Sequence, residues 1–287
     1  MANQFSVSPM VSQIDLKAGE TYDGVITVSN PADATEDFYF KVSISPYSVA
    51  GSNYTPDFVT ISDWSRIVEW IKAKPATGVL KPNETAKIEY TITVPADAPA
   101  GGQYAMIGIS SNPPANSEEA GVVQNVFEMA SLIYAKVDGE TKHEGKILEN
   151  SVPGFVCDGV PKTKVSVSNT GNVHETATTN LVVKNILSGQ EIFPTEGSDG
   201  NFDSLIMPET TRDIVKNLDM VQAIGVYEVK QTVSYLGEVK DISTIMVVCP
   251  LWFIILISLT FISVISLIGF SKHRRKRKAA ARQMEIS

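Results

Sequence analysis

Leu251–Phe270, LWFIILISLTFISVISLIGF, carries no charge over twenty residues, and the basic run SKHRRKRK (271–278) follows it directly. A helix of that length spans about 30 Å, the thickness of a bilayer's hydrocarbon core. The competing reading is a buried core helix. Such a helix is rarely apolar on every face, and rarely ends in a dense cationic run. The stretch therefore predicts one membrane span. Trp252 stands at the end where an indole prefers the interface, and the basic residues mark the cytoplasmic side. On this reading the chain is held in the cell membrane. Residues 1–248 form an ectodomain outside, 249–270 the transmembrane helix and 271–287 a basic cytoplasmic tail.

The overall charge conceals two opposite regions. The chain has 24 Lys+Arg against 32 Asp+Glu, a net −8. Seven of the basic residues and one Glu follow Phe270, which leaves 17 against 31 ahead of it. An acidic outer part argues against a nucleic-acid partner. The basic tail suits anionic lipid headgroups. Met1-Ala2-Asn3-Gln4 leads straight into a strand-like FSVSP. The expectation is that a signal was removed ahead of it, rather than that the span itself exports the chain. Two cysteines, Cys157 and Cys249, are too few for a disulfide scaffold, so a hydrophobic core must hold the outer part together. Either they pair, tying the second unit to the membrane edge, or they remain free thiols.

The first 248 residues read as strands. In FYFKVSI, Phe38, Phe40, Val42 and Ile44 share one face, the signature of a half-buried strand. Tyr22–Ser29 and Ile88–Val94 alternate in the same way. Tyr104–Ile109 and Val122–Val137 read as further strands, joined by a polar hairpin loop over Ser110–Gly121. Turns fall at Lys17–Glu20, Asn30-Pro31, Leu80–Glu84 and Asp138-Gly139. Over 62–74 two readings stand. One is a short helix capped by Asp63, with Trp64, Ile67, Val68 and Ile71 on one side; the other is a strand over Glu69–Lys72.

About seven strands at this spacing match one β-sandwich. A second set runs from Lys164–Asn169 to a hairpin over Gly225–Val248 that turns at Leu236-Gly237. The expected fold is all-β: two tandem Ig-like antiparallel β-sandwiches followed by one C-terminal transmembrane helix. The first sandwich covers 1–140 with a 45–79 insertion, and the second covers 141–248. AGETYDGVITVSNPAD and VPKTKVSVSNTGN echo each other as a strand closed by a polar turn after Val-Ser-Asn.

Motifs for chemistry are lacking. There is no GxSxG, HExxH or phosphate-cradling glycine loop. His143 and His174 read as belonging to different units with no cysteine beside them, and His273 follows the span, so zinc spacing is missing. Asp199-Gly200-Asn201-Phe202-Asp203 is a candidate calcium loop whose plainer reading is a solvated turn. Asn53-Tyr54-Thr55 and Asn83-Glu84-Thr85 fit glycan acceptor sites. Trp64 and Trp70 form either a sugar platform or plugs for the end of the first sandwich. No catalytic, cofactor or metal residue is assigned, and no cofactor is expected. An enzyme would need convergent acid, base or nucleophile groups.

The expected function is a non-enzymatic, single-pass envelope protein. Its Ig-like domains bind or scaffold other surface proteins, or copies of the chain itself, in a membrane-attached assembly. The alternatives are a module that binds cell-wall polymer through exposed aromatics and, last, a hydrolase with a scattered carboxylate site. Sheet edges at Phe5–Pro9, and at Val122–Val137 if that strand extends past its neighbours, are candidates for strand pairing with a partner. Ser258, Ser263, Ser266 and Gly269 offer small surfaces to a second helix.

Several motifs bear a family resemblance. In the first unit they are FSVSP (5–9), LKAGE (16–20), VSNP (28–31), LKPNE (80–84), VPADAPAGGQY (94–104) and SLIYAKVDG (131–139). In the second they are NTGNVH (169–174) and MPETTR (207–212). The chain resembles the bacterial WxL-interacting-protein type, membrane-anchored surface proteins with tandem Ig-like domains. The resemblance implies binding to partner surface proteins and cell-wall polymer, without enzyme activity. Gln103 stands where that family often has His, which removes a potential ligand.

Overall fold

The computed structural model describes residues 5–111, 128–192 and 200–284. Two Ig-like β-sandwiches in tandem lead into one long helix. The first sandwich comprises β1 (Ser6–Ser8), β2 (Val11–Leu16), β3 (Thr21–Ser29), β4 (Phe38–Pro46), β5 (Ser48–Ala50), β6 (Thr55–Asp57), β7 (Ile71–Lys74), β8 (Thr77–Leu80), β9 (Thr85–Thr93), β10 (Gly101–Ser111) and β11 (Glu128–Val137). Its sheets run β1-β3-β9-β7 and β2-β11-β10-β4-β8, and β5-β6 stands off as a hairpin. Alternation dictates what fills the space between them. Ile26 and Val28, Phe38 and Phe40, Ile88 and Ile92, Ile107 and Ile109, and Ile133 and Val137 form one buried cluster. Each such side chain contributes about 1.5–3 kcal/mol on burial.

The N-terminal segment changes sheets. Ser6–Ser8 pairs antiparallel with β3, and Val11–Leu16 then runs parallel to β11. The expected edge is met in part: β11 pairs with β10 over 128–137 but with β2 only over 132–137, so 128–131 extend past β2 while 132–137 have both sides occupied. Residues 122–127 of that expected strand, and 112–121 of the expected hairpin loop, lie outside the described residues. Ser6–Ser8 is an edge, but of only three residues.

Each reading of 62–74 is met only in part. Arg66–Glu69 is a single 3-10 turn, and Ile71–Lys74 then joins a sheet as β7. Asp63 does not cap the turn; its carboxylate meets Arg66 at 2.8 Å on the exposed surface, a pair worth little in water. Of the 45–79 stretch, 71–74 and 77–79 belong to sheet strands, while 48–57 forms a separate two-stranded hairpin.

The second sandwich holds β12 (Gly145–Ser151), β13 (Phe155–Val156), β14 (Lys162–Asn169), β15 (Glu175–Asn185), β16 (Glu191–Ile192), β17 (Asn201–Ile206), β18 (Thr211–Asn217), β19 (Gly225–Tyr235) and β20 (Glu238–Val248). Its sheets run β12-β14-β18 and β13-β20-β19-β15-β16, with β17 also paired to β15. The core is divided. Ile147, Val167, Ala177 and Val233 belong to one cluster, and Leu181, Tyr227, Val229 and Met246 to another. Along β15, Thr179 sits between Ala177 and Leu181; along β19, Gln231 sits between Val229 and Val233. Both polar residues are buried. A polar layer therefore separates two apolar halves.

The Val-Ser-Asn echo has a structural cause. Asn30 and Asn169 are both buried where a strand ends. Asn30 Nδ2 donates to the carbonyls of Glu36 and Leu80 at 3.0 Å each. Asn169 Nδ2 donates to Val173 and Ile206 at 2.7 and 3.0 Å. In each sandwich one amide holds two crossing segments that would otherwise bury unpaired carbonyls.

β20 passes into α1 (Leu251–Met284) through Cys249-Pro250 alone. Cys249 N–H donates to Val156 at 2.9 Å, and Leu251 N–H to Cys157 at 3.2 Å. Both cysteines are free thiols. The window Leu251–Lys272 is long and apolar enough to cross a membrane, with mean hydropathy 2.7 and none of it buried. Ser258 turns its hydroxyl back onto the Ile254 carbonyl at 2.8 Å, so that polar group is satisfied within the helix. The helix continues past Phe270 through the basic run.

Candidate functional site

The most organised cluster of polar and aromatic side chains lies where the two sandwiches meet. Every residue of β10 from Gly101 to Ile109 is buried. Alternation explains only one face, the one that carries Ala105, Ile107 and Ile109 into the first core. The other face places Tyr104 against the second sandwich. The Tyr104 hydroxyl accepts the His174 backbone N–H at 3.0 Å and lies 3.1 Å from His174 Nδ1. Tyr134 packs beside both rings, with centroids 5.7 Å from Tyr104 and 5.6 Å from His174.

The phenol oxygen can accept the His174 amide and also either donate to Nδ1 or accept from Nδ1–H, so the direction of the second bond follows the imidazole tautomer. Burial holds the His174 pKa below its ordinary value; the nearby Glu175 opposes this, and Lys136 adds to the lowering. Burial likewise pushes the Tyr104 phenol well above its usual range. Burial thus disfavours the charged form of both rings.

Two further contacts fix the junction. Asn172 is the end of the Asn169-Thr170-Gly171-Asn172 turn. Its carbonyl accepts Gly102 N–H at 2.7 Å, its Nδ2 donates to Glu140 at 2.9 Å, and its Oδ1 accepts Lys142 N–H at 2.6 Å. Gly101 permits this approach: its φ is +123°, and a Cβ there would stand 2.6 Å from the Asn172 carbonyl oxygen. The projecting hairpin makes the other contact. Tyr54, at its tip, accepts Met207 N–H at 2.8 Å and bonds the Thr210 hydroxyl, while the Arg212 guanidinium lies over its ring at 4.6 Å. Ser52 accepts Asp213 N–H through its carbonyl at 2.6 Å and donates its hydroxyl to the Asp213 carboxylate at 2.9 Å.

The residues singled out from sequence are distributed differently than expected. His143 and His174 meet the same junction: His143 Nδ1 lies 2.5 Å from Glu175 Oε1, next in sequence to His174. Gln103 is structural. Its Nε2 donates to Asp63 at 2.8 Å, and its Oε1 accepts Ile67 N–H at 3.1 Å. Trp70 is buried in the first core with Ile67 and Ile71, which removes it from any sugar platform. Trp64 is half-buried in an open groove of about 600 Å³ lined by Ile61, Asp63, Arg66, Glu69 and Glu209. Of the candidate calcium loop, Asp199 lies outside the described residues. Asn201 and Asp203 belong to β17, where Asp203 accepts the Thr178 hydroxyl at 2.7 Å. Among the described residues no group of three His, Cys, Asp or Glu could hold a metal ion. Asn53 and Asn83 are exposed. Sequence reading missed Tyr54, Tyr104, Tyr134 and Asn172 as a set. GGQY and NTGNVH were visible as motifs, but nothing local says that they face each other.

No family model and no curated protein matches the chain. Among solved structures it is similar to the class 5 fimbrial chaperone CfaA, with TM-score 0.42 and 16% identity over 86% of this chain and 100% of that one. It is also similar to the CsuC–CsuE chaperone–tip subunit complex of Csu pili from Acinetobacter baumannii, with TM-score 0.42 and 13% identity over 84% and 98%. The E. coli chaperone DraB gives TM-score 0.39 and 13% identity over 84% and 98%. Two expectations are corrected by these findings. The similar structures are chaperones, not WxL-interacting surface proteins; nor are they cell-membrane proteins with an outer domain and a cytoplasmic tail. The physical reason is that the motifs behind the resemblance are turn and junction chemistry, as Asn30, Asn169 and Gly101 show. The charge bias behind the placement describes one helix and its flank, not the rest of the chain.

Proposed function

We propose that this chain is a non-enzymatic scaffold that presents two rigidly joined Ig-like sandwiches to a protein partner, with α1 entering a lipid bilayer. The observation that carries the reading is the junction. Hairpin, aromatic cluster and Asn172 turn bind the sandwiches at three places, all with satisfied neutral or hydrogen-bonded groups. Such an arrangement holds a surface in one orientation; it supplies no nucleophile, and its half-buried histidine, His174, is committed to Tyr104. The division into sandwiches at 1–140 and 141–248 belongs to the same proposal and is supported by the separate cores.

Beside the junction, Phe58, Val59 and Ile61 are exposed on the segment that returns from the hairpin. They form the apolar strip offered to the partner. The experiment is purification of the full chain in mild detergent, with mass measurement and identification of whatever accompanies it. A stoichiometric companion protein that is lost from the Val59→Asp chain supports the reading. A monodisperse monomer without companions refutes it.

The Trp64 groove favours one second reading. An indole flanked by Asp63, Arg66, Glu69 and Glu209 has the mixed stacking and hydrogen-bonding character of a sugar site. Binding of the chain to purified cell-wall polymer, abolished by Trp64→Ala, would establish it.

A further inference from the structure

The end of the second sandwich from which α1 departs is apolar in its own right, and strand pairing determines which loops gather there. Val248, the last residue of β20, stands opposite Gly225 and Val156. Asn217 stands opposite Lys162, and Leu218 N–H donates to Pro161 at 2.8 Å. These pairings bring the 157–161 and 218–224 loops beside the start of the helix. β15 ends at the same level: Asn185 is opposite Tyr227, and Ile186 N–H donates to Val226 at 3.0 Å. Val160, Val221, Ala223, Pro250 and Trp252 line one cavity of about 380 Å³, so the two loops and the helix start form a continuous surface.

That surface exposes large apolar side chains from four separate segments. Leu187 is 82% exposed, Trp252 61%, Met220 52%, Ile186 46%, Val160 44% and Ile224 39%. Single exposed apolar residues are ordinary, but a set converging on one end of a domain marks a docking face. The charged residues in the cavity wall are Asp158 and Asp219. The attraction offered there is therefore apolar, not a cationic hold on phosphate.

We infer that this rim seats in the interfacial layer of a lipid bilayer, so that the second sandwich stands directly on the lipid. The inference rests on the proposed entry of α1 into a bilayer and deepens it. Lipid is the occupant because the rim is continuous with the apolar helix. Only Cys249 and Pro250 separate β20 from Leu251, and the helix window that follows has mean hydropathy 2.7. A bilayer that receives the start of this helix meets the three loops around it. Leu187 and Met220, at loop tips, are the anchors, and the indole of Trp252 takes the boundary position that such rings prefer.

The test reconstitutes the full chain in phosphatidylcholine vesicles with and without bromine on the acyl chains, and reads tryptophan emission. In the unaltered chain, quenching of Trp252 reports entry of the helix. In a chain carrying Trp252→Phe with Leu187→Trp, or Trp252→Phe with Met220→Trp, the added indole reports the rim. Trp64 and Trp70, in the first sandwich, form the unquenched background. The added emission should fall by roughly half, as for a side chain about 5–10 Å into the headgroup boundary. It should fall equally when anionic lipid is included. Quenching at Trp252 with none at either rim label overturns the rim and leaves helix entry standing. Absence of quenching at Trp252 overturns both. Unquenched rim labels in particles with the mass of two chains assign the face to a second copy, which also overturns the inference.

Discussion

Replacing Tyr104 with Phe removes one oxygen from the centre of the junction and leaves the ring packing in place. That oxygen is buried, accepts the His174 amide at 3.0 Å and lies 3.1 Å from Nδ1. Its loss leaves the half-buried His174 N–H and ring nitrogen without these partners. One unsatisfied buried group costs about 1–3 kcal/mol. Two on one residue, partly relieved by relaxation, give an expected loss of about 2–3 kcal/mol. For a chain of this size each kcal/mol lowers Tm by roughly 2–4 °C, so the midpoint should fall by about 4–12 °C. Thermal unfolding of the full chain in detergent measures the shift, and amide exchange at His174 localises it: protection there should drop well before protection in β19. Acidification of the unaltered chain should act in the same direction. The unfolded imidazole takes up its proton near 6.5, the folded one only at lower pH. Below 6.5 the unfolded state therefore binds more protons, and stability falls as pH drops through that window. A Tyr104→Phe chain within about 0.5 kcal/mol of the original, with unchanged exchange at His174, would refute the reasoning, since the smallest expected loss is several times larger.

Two further outcomes follow from the packing. Gly101→Ala should destabilise by at least about 2 kcal/mol, because a Cβ would meet the Asn172 carbonyl oxygen at 2.6 Å while the backbone is held in a region costly for L-residues. Chemical denaturation of the purified chain checks this, and a neutral result would mean that the Asn172 contact is slack. Thr179→Val should leave stability unchanged or raise it by about 1 kcal/mol, since the buried Thr179 hydroxyl has no partner among the described residues. A loss above that size would show that the polar layer is fully hydrogen-bonded.

Reading from sequence succeeded where the information is local. Period-two alternation in Phe38–Ile44 and Ile88–Val94 follows from the pleat itself; Phe38, Phe40, Ile88, Tyr90, Ile92 and Val94 are buried, and Val42 and Ile44 are partly so. The twenty-residue apolar run reads as a helix because no other structure satisfies its backbone away from water. The echo of Val-Ser-Asn was visible before its cause was.

What depends on pairing between distant segments was not legible. How much of Glu128–Val137 is an edge turned on Val11–Leu16 crossing to the other sheet, which no local pattern records. Trp64 and Trp70 are equivalent in sequence, yet one sits in a groove and the other in the core, because a single 3-10 turn rotates them apart. The junction joins Tyr104 to His174 and Tyr54 to Met207 and Thr210, contacts that span 70, 153 and 156 residues. Leu187, Met220 and Val160 share one end of the sandwich only because of strand register. Composition and periodicity determined by themselves that this chain makes half-buried strands and one apolar helix, since each residue's burial preference repeats at the period of its own element. Which strands become neighbours, and therefore which side chains meet, was decided by the tertiary structure alone, because register and sheet order are properties of pairs of segments and not of either segment.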